Sequence, residues 1–446
     1  MEKRDHFASK IGFVLAAAGS AIGLGAIWKF PYMAGTNGGS VFVLLFIIGT
    51  LLIGLPILLA EFVLGRKGQA DAVTSFKRLK PGKNWFLIGW SGFFFSFIIL
   101  SFYSVVGGWI LSYLGRALMF SLDNKGESYY GELFGTIISN PWEVLIGQAV
   151  FMILTVIIVR GGIEGGIERA SRIMMPALLI FFVVLVVRSL TLDGAMEGVK
   201  FMFVPDWSYF NAQTMLLALG QAFFSLSVGV AGMMTYASYL PKDQKLGSSA
   251  FSVSMLNIGI SLMAGLVIFP AVFALGYSPN EGPGLVFIIL PAVFEQIPFG
   301  AFFMLMFFIL LLFATLTSSI SMLETVVSIG IKNAYDKRKR AAWIYGLVIF
   351  LVGIPSALSF GVFADIKIFG KTFFDFADFL TSSIGLPVGA LLISVFAGYI
   401  VKKSELIEEL NISPVMFNTW YFIVRYLAPV AIILVFLNAL ISAFRG

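Results

Sequence analysis

The sequence predicts an all-α integral membrane protein of about eleven transmembrane helices, and three observations carry that reading. Of the 446 residues, 59% are hydrophobic and only 12% are charged, with a mean hydropathy of +0.95. No water-soluble fold hides that much apolar surface behind a wettable exterior. Apolar runs of ~20 residues, the length at which a helix satisfies its own backbone across hydrocarbon, recur along almost the whole chain. Lys and Arg fall in short segments between those runs, concentrated on one side.

The same observations exclude other classes. A net charge of +6 and a pI near 9.3 could serve nucleic-acid binding, but these cations do not gather on one polar domain. Cysteine is absent, which excludes disulfides and thiol chemistry and leaves the redox compartment open. The one histidine, His6, excludes a His-rich metal site. Lys3, Arg4 and Lys10 precede an apolar stretch containing the small residues Ala16 to Ala21, as in a signal peptide. That stretch runs on through Trp28 and many more follow, so it is read as an uncleaved span.

In order, the expected spans lie at roughly 9–34, 39–65, 86–120, 141–160, 170–190, 209–240, 246–276, 299–331, 341–361, 374–401 and 416–444. An odd number puts the termini on opposite sides. With the N-terminus inside, the inner segments hold most of the basic residues, among them Arg66, Lys67, Arg78, Arg169, Lys242, Lys332, Arg338 and Lys403, while the outer loops hold only Lys125, Arg188, Lys200, Lys367 and Lys371, with a few more near or within spans. The N-terminus is therefore expected in the cytoplasm and the C-terminus outside.

Two spans are interrupted by small residues near their centres: the first at Gly19-Ser-Ala-Ile-Gly-Leu-Gly25 and the sixth at Ser225-Leu-Ser-Val-Gly-Val-Ala-Gly232. Small residues also let membrane helices pack closely, and either run alone fits that reading. Their corresponding positions in two five-helix halves instead suggest an inverted repeat, over 9–190 and 209–401 of one transporter domain spanning 1–446, with 416–444 as an extra helix. Broken helices expose N–H donors for a carboxylate and carbonyls for a cation at mid-membrane. The eighth span adds the hydroxyls of Thr317-Ser318-Ser319, which either join such a site or bond to their own helix.

The run Gly19-Ser-Ala-Ile-Gly-Leu-Gly-Ala-Ile-Trp-Lys-Phe-Pro-Tyr32 with Asn37-Gly-Gly39, and Gly220-Gln-Ala-Phe-Phe-Ser-Leu-Ser227 with Thr235-Tyr-Ala-Ser-Tyr239, resemble the signatures of the neurotransmitter:sodium symporter family. Glu61, Tyr103, Leu256-Asn257, Gly282-Pro-Gly284 and Leu316-Thr-Ser-Ser319 extend the resemblance, in family order, over nearly the whole chain. The broken-helix repeat belongs to that family, so the two readings are not independent. The resemblance is to the bacterial amino-acid transporter type and implies a multi-pass protein of the plasma (cytoplasmic) membrane that moves substrate with Na⁺.

What the resemblance implies for the site can be stated residue by residue. A second-sodium site would use the carbonyls of Gly19, Ile22 and Ala314 and the hydroxyls of Thr317 and Ser318. The substrate carboxylate would meet the N–H groups of Leu24 and Gly25 and the Tyr103 hydroxyl; its ammonium would meet carbonyls of Ala21, Phe224 and Ser225 and the side chain of Ser227. Monoamine carriers place an Asp where this chain has Gly23, so an amino acid with its own carboxylate is expected. Ile99, Tyr103, Phe224, Val230, Ser318 and Met322 would line the side-chain pocket, favouring a neutral, mainly apolar residue.

An outer gate would stack Tyr103 over Phe224 and pair Lys29 with Asp378, directly or through water, although Lys29 can also snorkel and Asp378 can cap a helix. Arg4 and Tyr239 resemble inner gate residues.

Three departures from the family pattern stand out. The first-sodium site keeps Ala21, Ser225 and Asn257 but has Ala26 in place of its Asn ligand. A chloride site could use Gln221, Ser225, Asn257 and Ser261, but Phe46 replaces its Tyr. If the first Na⁺ is not bound, its charge needs no anion beside it, so one Na⁺ per substrate and chloride independence are expected. At the inner gate Lys332 replaces the acid expected for Arg4, with Asp336 one helical turn on as a substitute. Other function classes stay open: an amino-acid receptor that has lost coupled transport, proton coupling or exchange within the same fold, and, least supported, a membrane enzyme, since Glu61 has no metal or nucleophile constellation around it.

Overall fold

The computed structural model describes residues 5–119, 127–279, 284–332 and 334–445. Among them, nine helices are long and apolar enough to cross a membrane: Ser40–Gly68, Phe86–Leu118, Pro141–Val159, Ile163–Leu190, Leu246–Ala274, Gly300–Ile331, Arg338–Ala357, Phe373–Ile400 and Pro414–Ala443. A tenth candidate crossing joins two pieces, Lys10–Ala21 and Gly25–Thr36, bent by 54°. The sixth expected span is likewise divided, into Ala212–Ser225 and Gly232–Ala237. Both breaks fall in the small-residue runs of the sequence.

Local chemistry explains where helices loosen. Wide π-type turns at Gly25–Lys29, Thr50–Gly54, Leu285–Ile289 and Phe379–Gly385 each run into a proline two residues later, at Pro31, Pro56, Pro291 and Pro387. Proline lacks an N–H and crowds the preceding turn, which a wider turn relieves.

The long helices Phe86–Leu118, Pro141–Val159, Gly300–Ile331 and Arg338–Ala357 pack against one another as a scaffold. Gly108 and Gly147 show how closely: a Cβ on either would lie 2.7 Å or 2.9 Å from backbone of the other helix. Such contacts let backbones meet where lipid offers no hydrophobic drive for association. The broken first and sixth segments lie beside this scaffold. The last span is the most peripheral, with only 17% of its apolar window buried.

Candidate substrate and ion site

The first break begins where the helix Lys10–Ala21 ends at Ile22, whose N–H still bonds Ala18 O at 2.7 Å. The next turn forms only from Gly23 onward, with Ala26 N–H reaching Gly23 O at 3.2 Å. Carbonyls of the broken turn therefore turn to side chains from other spans. Ser318 Oγ donates to Gly19 O at 3.2 Å and Ser20 O at 3.1 Å, and Ser227 Oγ donates to Ser20 O at 3.2 Å.

The sixth segment breaks more severely. Ser227, Gly229 and Ala231 have φ of 53°, 99° and 58°, a region that costs a non-glycine residue about 1 kcal/mol or more. At Gly229 a side chain is excluded outright, because a Cβ would stand 2.3 Å from Leu386 O. Neighbours hold the strained turn in place: the buried Glu61 carboxylate accepts the N–H groups of Gly229 at 2.6 Å and Met234 at 3.1 Å, and Ser96 donates to Val230 O at 3.1 Å. Glu61 thus has a structural task, satisfying the donors that unwinding frees.

Between the two breaks lies a cavity of about 340 Å³. Its lining includes Ala21, Gly23, Leu24, Gly25, Ile99, Tyr103, Phe224, Ser227, Val230, Ser318 and Met322, so every expected substrate residue except Ser225 borders it. Tyr103 accepts the Leu24 N–H at 3.2 Å. A Cβ at Gly23 would meet Ser318 Oγ at 2.4 Å and Tyr103 Oη at 2.6 Å; only glycine lets these three approach. The cavity continues along Trp28 and Tyr32 of the signature run and along Trp109, Phe134, Phe360 and Asp375, which the sequence did not single out.

At the expected second-sodium site the first and eighth spans bring Gly19, Ala314, Thr317 and Ser318 together. Thr317 Oγ1 lies 2.9 Å from Ala314 O, Ser318 Oγ reaches Gly19 O, and a Cβ on Gly19 would stand 2.8 Å from Thr317 Cβ. Carbonyl and hydroxyl oxygens are the hard ligands that alkali cations take, so the donor set fits Na⁺.

The first-sodium residues are arranged differently. Asn257 Nδ2 donates to Ala21 O at 3.4 Å and Ser225 O at 2.9 Å, while Ser225 Oγ donates to Asn257 Oδ1 at 2.8 Å. These groups satisfy one another, and the buried Ala26 adds no oxygen. Nearby, Gln221 Nε2 donates to Gly25 O at 2.7 Å, and Ser261 Oγ is buried with no hydrogen-bond partner. Phe46 packs on Phe30 with ring centroids 4.7 Å apart.

At the gates the structure overturns the Asp336 spacing and arranges the other expected residues as follows. Lys29 makes no direct ion pair with Asp378; its Nζ stands 4.0 Å from the Phe224 ring centroid, and Asp378 Oδ1 accepts from Ser382 at 2.7 Å. Both residues still border the cavity. Tyr103 and Phe224 do not stack: the Tyr103 hydroxyl is engaged with the first break and the Phe224 face is taken by Lys29. Asp336 does not continue the eighth helix, which stops at Ile331 with Lys332 left-handed at φ 46°. Its exposed position in the separate turn Tyr335–Lys337 breaks the assumed helical spacing. Arg4 lies outside the described residues, as do Gly282 and Pro283 of the outer-loop motif.

At the inner end Tyr239, named above for its resemblance to a gate residue, meets partners the sequence reading did not single out. Tyr239 Oη donates to Glu324 Oε1 at 2.7 Å, Glu324 pairs with Arg338, and Arg338 Nη1 lies 3.9 Å from Asp5. Arg338 Nε also donates to Val159 O at 3.1 Å. Beside this cluster Glu168 accepts Ala8 N–H at 2.7 Å and the Ser9 hydroxyl at 3.1 Å. Glu324 carried a signal, being an acid inside an apolar span.

Known proteins resemble this chain closely. Residues 4–129 and 132–445 match the model of the sodium:neurotransmitter symporter family. The uncharacterized sodium-dependent transporter YhdH of Bacillus subtilis is 53% identical, over 98% of both chains. A further uncharacterized sodium-dependent transporter, MJ1319 of Methanocaldococcus jannaschii, is 33% identical, over 100% of this chain and 93% of its own. Among solved structures, that of MhsT in complex with L-phenylalanine superposes with a TM-score of 0.92 at 45% identity, covering 98% of this chain and 100% of the other.

Proposed function

The chain belongs to the sodium:neurotransmitter symporter family, and from that premise we propose that it carries a neutral, mainly apolar amino acid inward with Na⁺ by alternating access. The observation that supports this best is the convergence on Gly23, where two broken helices, the Tyr103 hydroxyl and Ser318 meet at one cavity. In this reading the N–H groups of Leu24 and Gly25 and the Tyr103 hydroxyl receive the carboxylate, the half-helix N-terminus adding its positive end. Carbonyls of Ala21, Phe224 and Ser225 with Ser227 receive the ammonium.

Ile99, Val230 and Met322 present carbon to the side chain, so a charged substrate would be buried unpaired at a cost of several kcal/mol. The L-phenylalanine bound by the neighbouring structure is a ligand of that chemical kind.

Na⁺ is the co-transported ion, held by Gly19, Ile22, Ala314, Thr317 and Ser318. These atoms join the first span to the eighth, so the ion ties a moving segment to the scaffold and favours the substrate-ready arrangement. The closed hydrogen bonding at Asn257 and the methyl of Ala26 support one Na⁺ per substrate, without chloride. The inner cluster then opens to release substrate into the cytoplasm, where the inward Na⁺ gradient supplies the drive.

Proteoliposome uptake of a panel of labelled amino acids tests the proposal. Na⁺-dependent accumulation of apolar amino acids is expected, with Thr317→Val and Ser318→Ala each raising the Na⁺ requirement by about tenfold for the lost oxygen ligand. Unchanged Na⁺ dependence in both variants would remove the ion assignment. A flux ratio of two Na⁺ per substrate, or loss of uptake without chloride, would refute the stoichiometry.

A further inference from the structure

Arg425 lies within the last span, Pro414–Ala443, where a charged side chain is costly unless something neutralises it. Its neighbours are rings, not acids. The guanidinium lies 4.5 Å from the Tyr399 ring centroid, 5.5 Å from that of Tyr426 and 5.7 Å from that of Tyr421, and Nη1 donates to the Tyr421 hydroxyl at 2.9 Å. Lys403 also faces Tyr421, its Nζ 5.4 Å from the ring centroid. Neither cation has a carboxylate within 4.0 Å, the ion pairs of the described residues all lying elsewhere, and Arg425 Nε has no hydrogen-bond partner.

The patch is exposed and sits at one end of the bundle. Tyr399, Phe422 and Tyr426 expose 48%, 58% and 50% of their surface, and Lys402 and Lys403 are exposed. The helix Lys403–Leu410 is tied to the end of the second span by Lys67–Glu405 at 3.3 Å and Arg66–Glu409 at 2.6 Å. Arg66 also bonds Gln244 O, close in sequence to the carbonyl of Tyr239 that receives Phe7 N–H. This is the N-terminal end, which the basic-residue pattern places in the cytoplasm.

We propose that Arg425 and Lys403, rimmed by Tyr399, Tyr421 and Tyr426, hold the phosphate of an anionic phospholipid from the leaflet at that end. Charge complementarity selects this occupant: two cations without acids, one on a lipid-facing span and one on the short helix beside it, need a fixed anion. A phosphodiester offers acceptor oxygens to the planar guanidinium. Tyrosines favour the headgroup boundary, and anionic lipids concentrate at the cytoplasmic leaflet. The exposed faces of Phe422 and Val430 leave the acyl chains an apolar track along the same helix. The leaflet assignment rests on the proposed topology; the site itself does not depend on transport.

The test uses the full chain in phosphatidylcholine vesicles holding a trace of phosphatidylglycerol spin-labelled on its acyl chain, with labelled phosphatidylcholine as comparison. The motion-restricted fraction in the electron paramagnetic resonance spectrum is expected to favour phosphatidylglycerol severalfold. Arg425→Gln and Lys403→Gln are each expected to weaken that preference by about fivefold. Equal retention of the two lipids, or a preference unmoved in both variants, overturns the proposal. So does loss of the preference in excess inorganic phosphate at constant ionic strength, which would make the ligand a soluble anion. If Arg425→Gln fails to fold, Lys403→Gln, on an exposed helix, decides alone. Reducing the labels of one leaflet with ascorbate shows which leaflet supplies the lipid, and retention from the leaflet opposite Lys242 and Lys402 overturns the assignment. Uptake is measured separately, so failure here is distinguishable from failure of the transport reading.

Discussion

The two ends of the central cavity are closed by different chemistry. Toward the N-terminal end, charges and hydroxyls interlock: buried Tyr239, Glu324 and Arg338 with the partly exposed Asp5 in one cluster, buried Glu168 with Ala8 and Ser9 in another. Toward the opposite end the walls are rings, with Trp28 on Phe287, Trp109 stacked on Phe374, Phe134 stacked on Phe287, and Lys29 over Phe224. Ring contacts are each worth about 1 kcal/mol and exchange with small rotations. Separating a buried ion pair leaves charges uncompensated in a low dielectric and costs ~3–5 kcal/mol. The comparison teaches that one end is held by soft contacts and the other by stiff ones, so in the proposed alternating-access cycle opening toward the N-terminal end needs the larger driving force.

The largest effect should come from the stiff end. Arg338→Ala strands Glu324, which is fully buried, and is expected to lower unfolding free energy by ~3–5 kcal/mol, with Arg338→Ala/Glu324→Gln recovering much of it. Thermal unfolding measures stability. Because the chain has no cysteine, a single cysteine at Ser20 reports access to the cavity from each side. If the double variant is no more stable than Arg338→Ala, the ion pair is not what closes this end.

Next should come the centre, where the two halves meet. Gly23→Ala forces a methyl to 2.4 Å from Ser318 Oγ, and overpacking of ~1–3 kcal/mol predicts uptake reduced about tenfold or more with near-normal thermal unfolding. Wild-type uptake in this variant would mean the convergence is looser than the distances indicate. Tyr103→Phe removes the acceptor of Leu24 N–H and is expected to weaken substrate binding by about tenfold at most, read by isothermal titration; an unchanged affinity would take Tyr103 out of the carboxylate site.

Smallest of all should be the soft end. Lys29→Gln removes one cation–π contact of ~1 kcal/mol, so cysteine labelling from the outer side should accelerate by about fivefold or less. A change as large as that of Arg338→Ala would erase the contrast between the two ends.

Much of this was legible in the sequence, and particular residues show why. The breaks at Gly19–Gly25 and Ser225–Gly232 were visible because unwinding needs small residues locally, and the structure divides both helices there. Thr317 and Ser318 were visible because hydroxyls are conspicuous in an apolar helix. The inner cluster was not: Arg338 read as one more basic residue of an inner segment, and Asp336 as a helical neighbour of Lys332. A single left-handed residue, Lys332, ends that helix and cancels the spacing on which Asp336 depended.

By itself, then, the sequence determined the solvent, the spans and the places where helices come apart, because each follows from composition or pattern within one stretch of chain. Tertiary structure alone decided who meets whom: Glu61 with the unwound Gly229, Lys29 with Phe224 rather than Asp378, Arg338 with Glu324 and Asp5. Those partnerships join spans distant in sequence, and they depend on helix phase, tilt and the ångström-scale approach that glycines permit, quantities that no local pattern encodes.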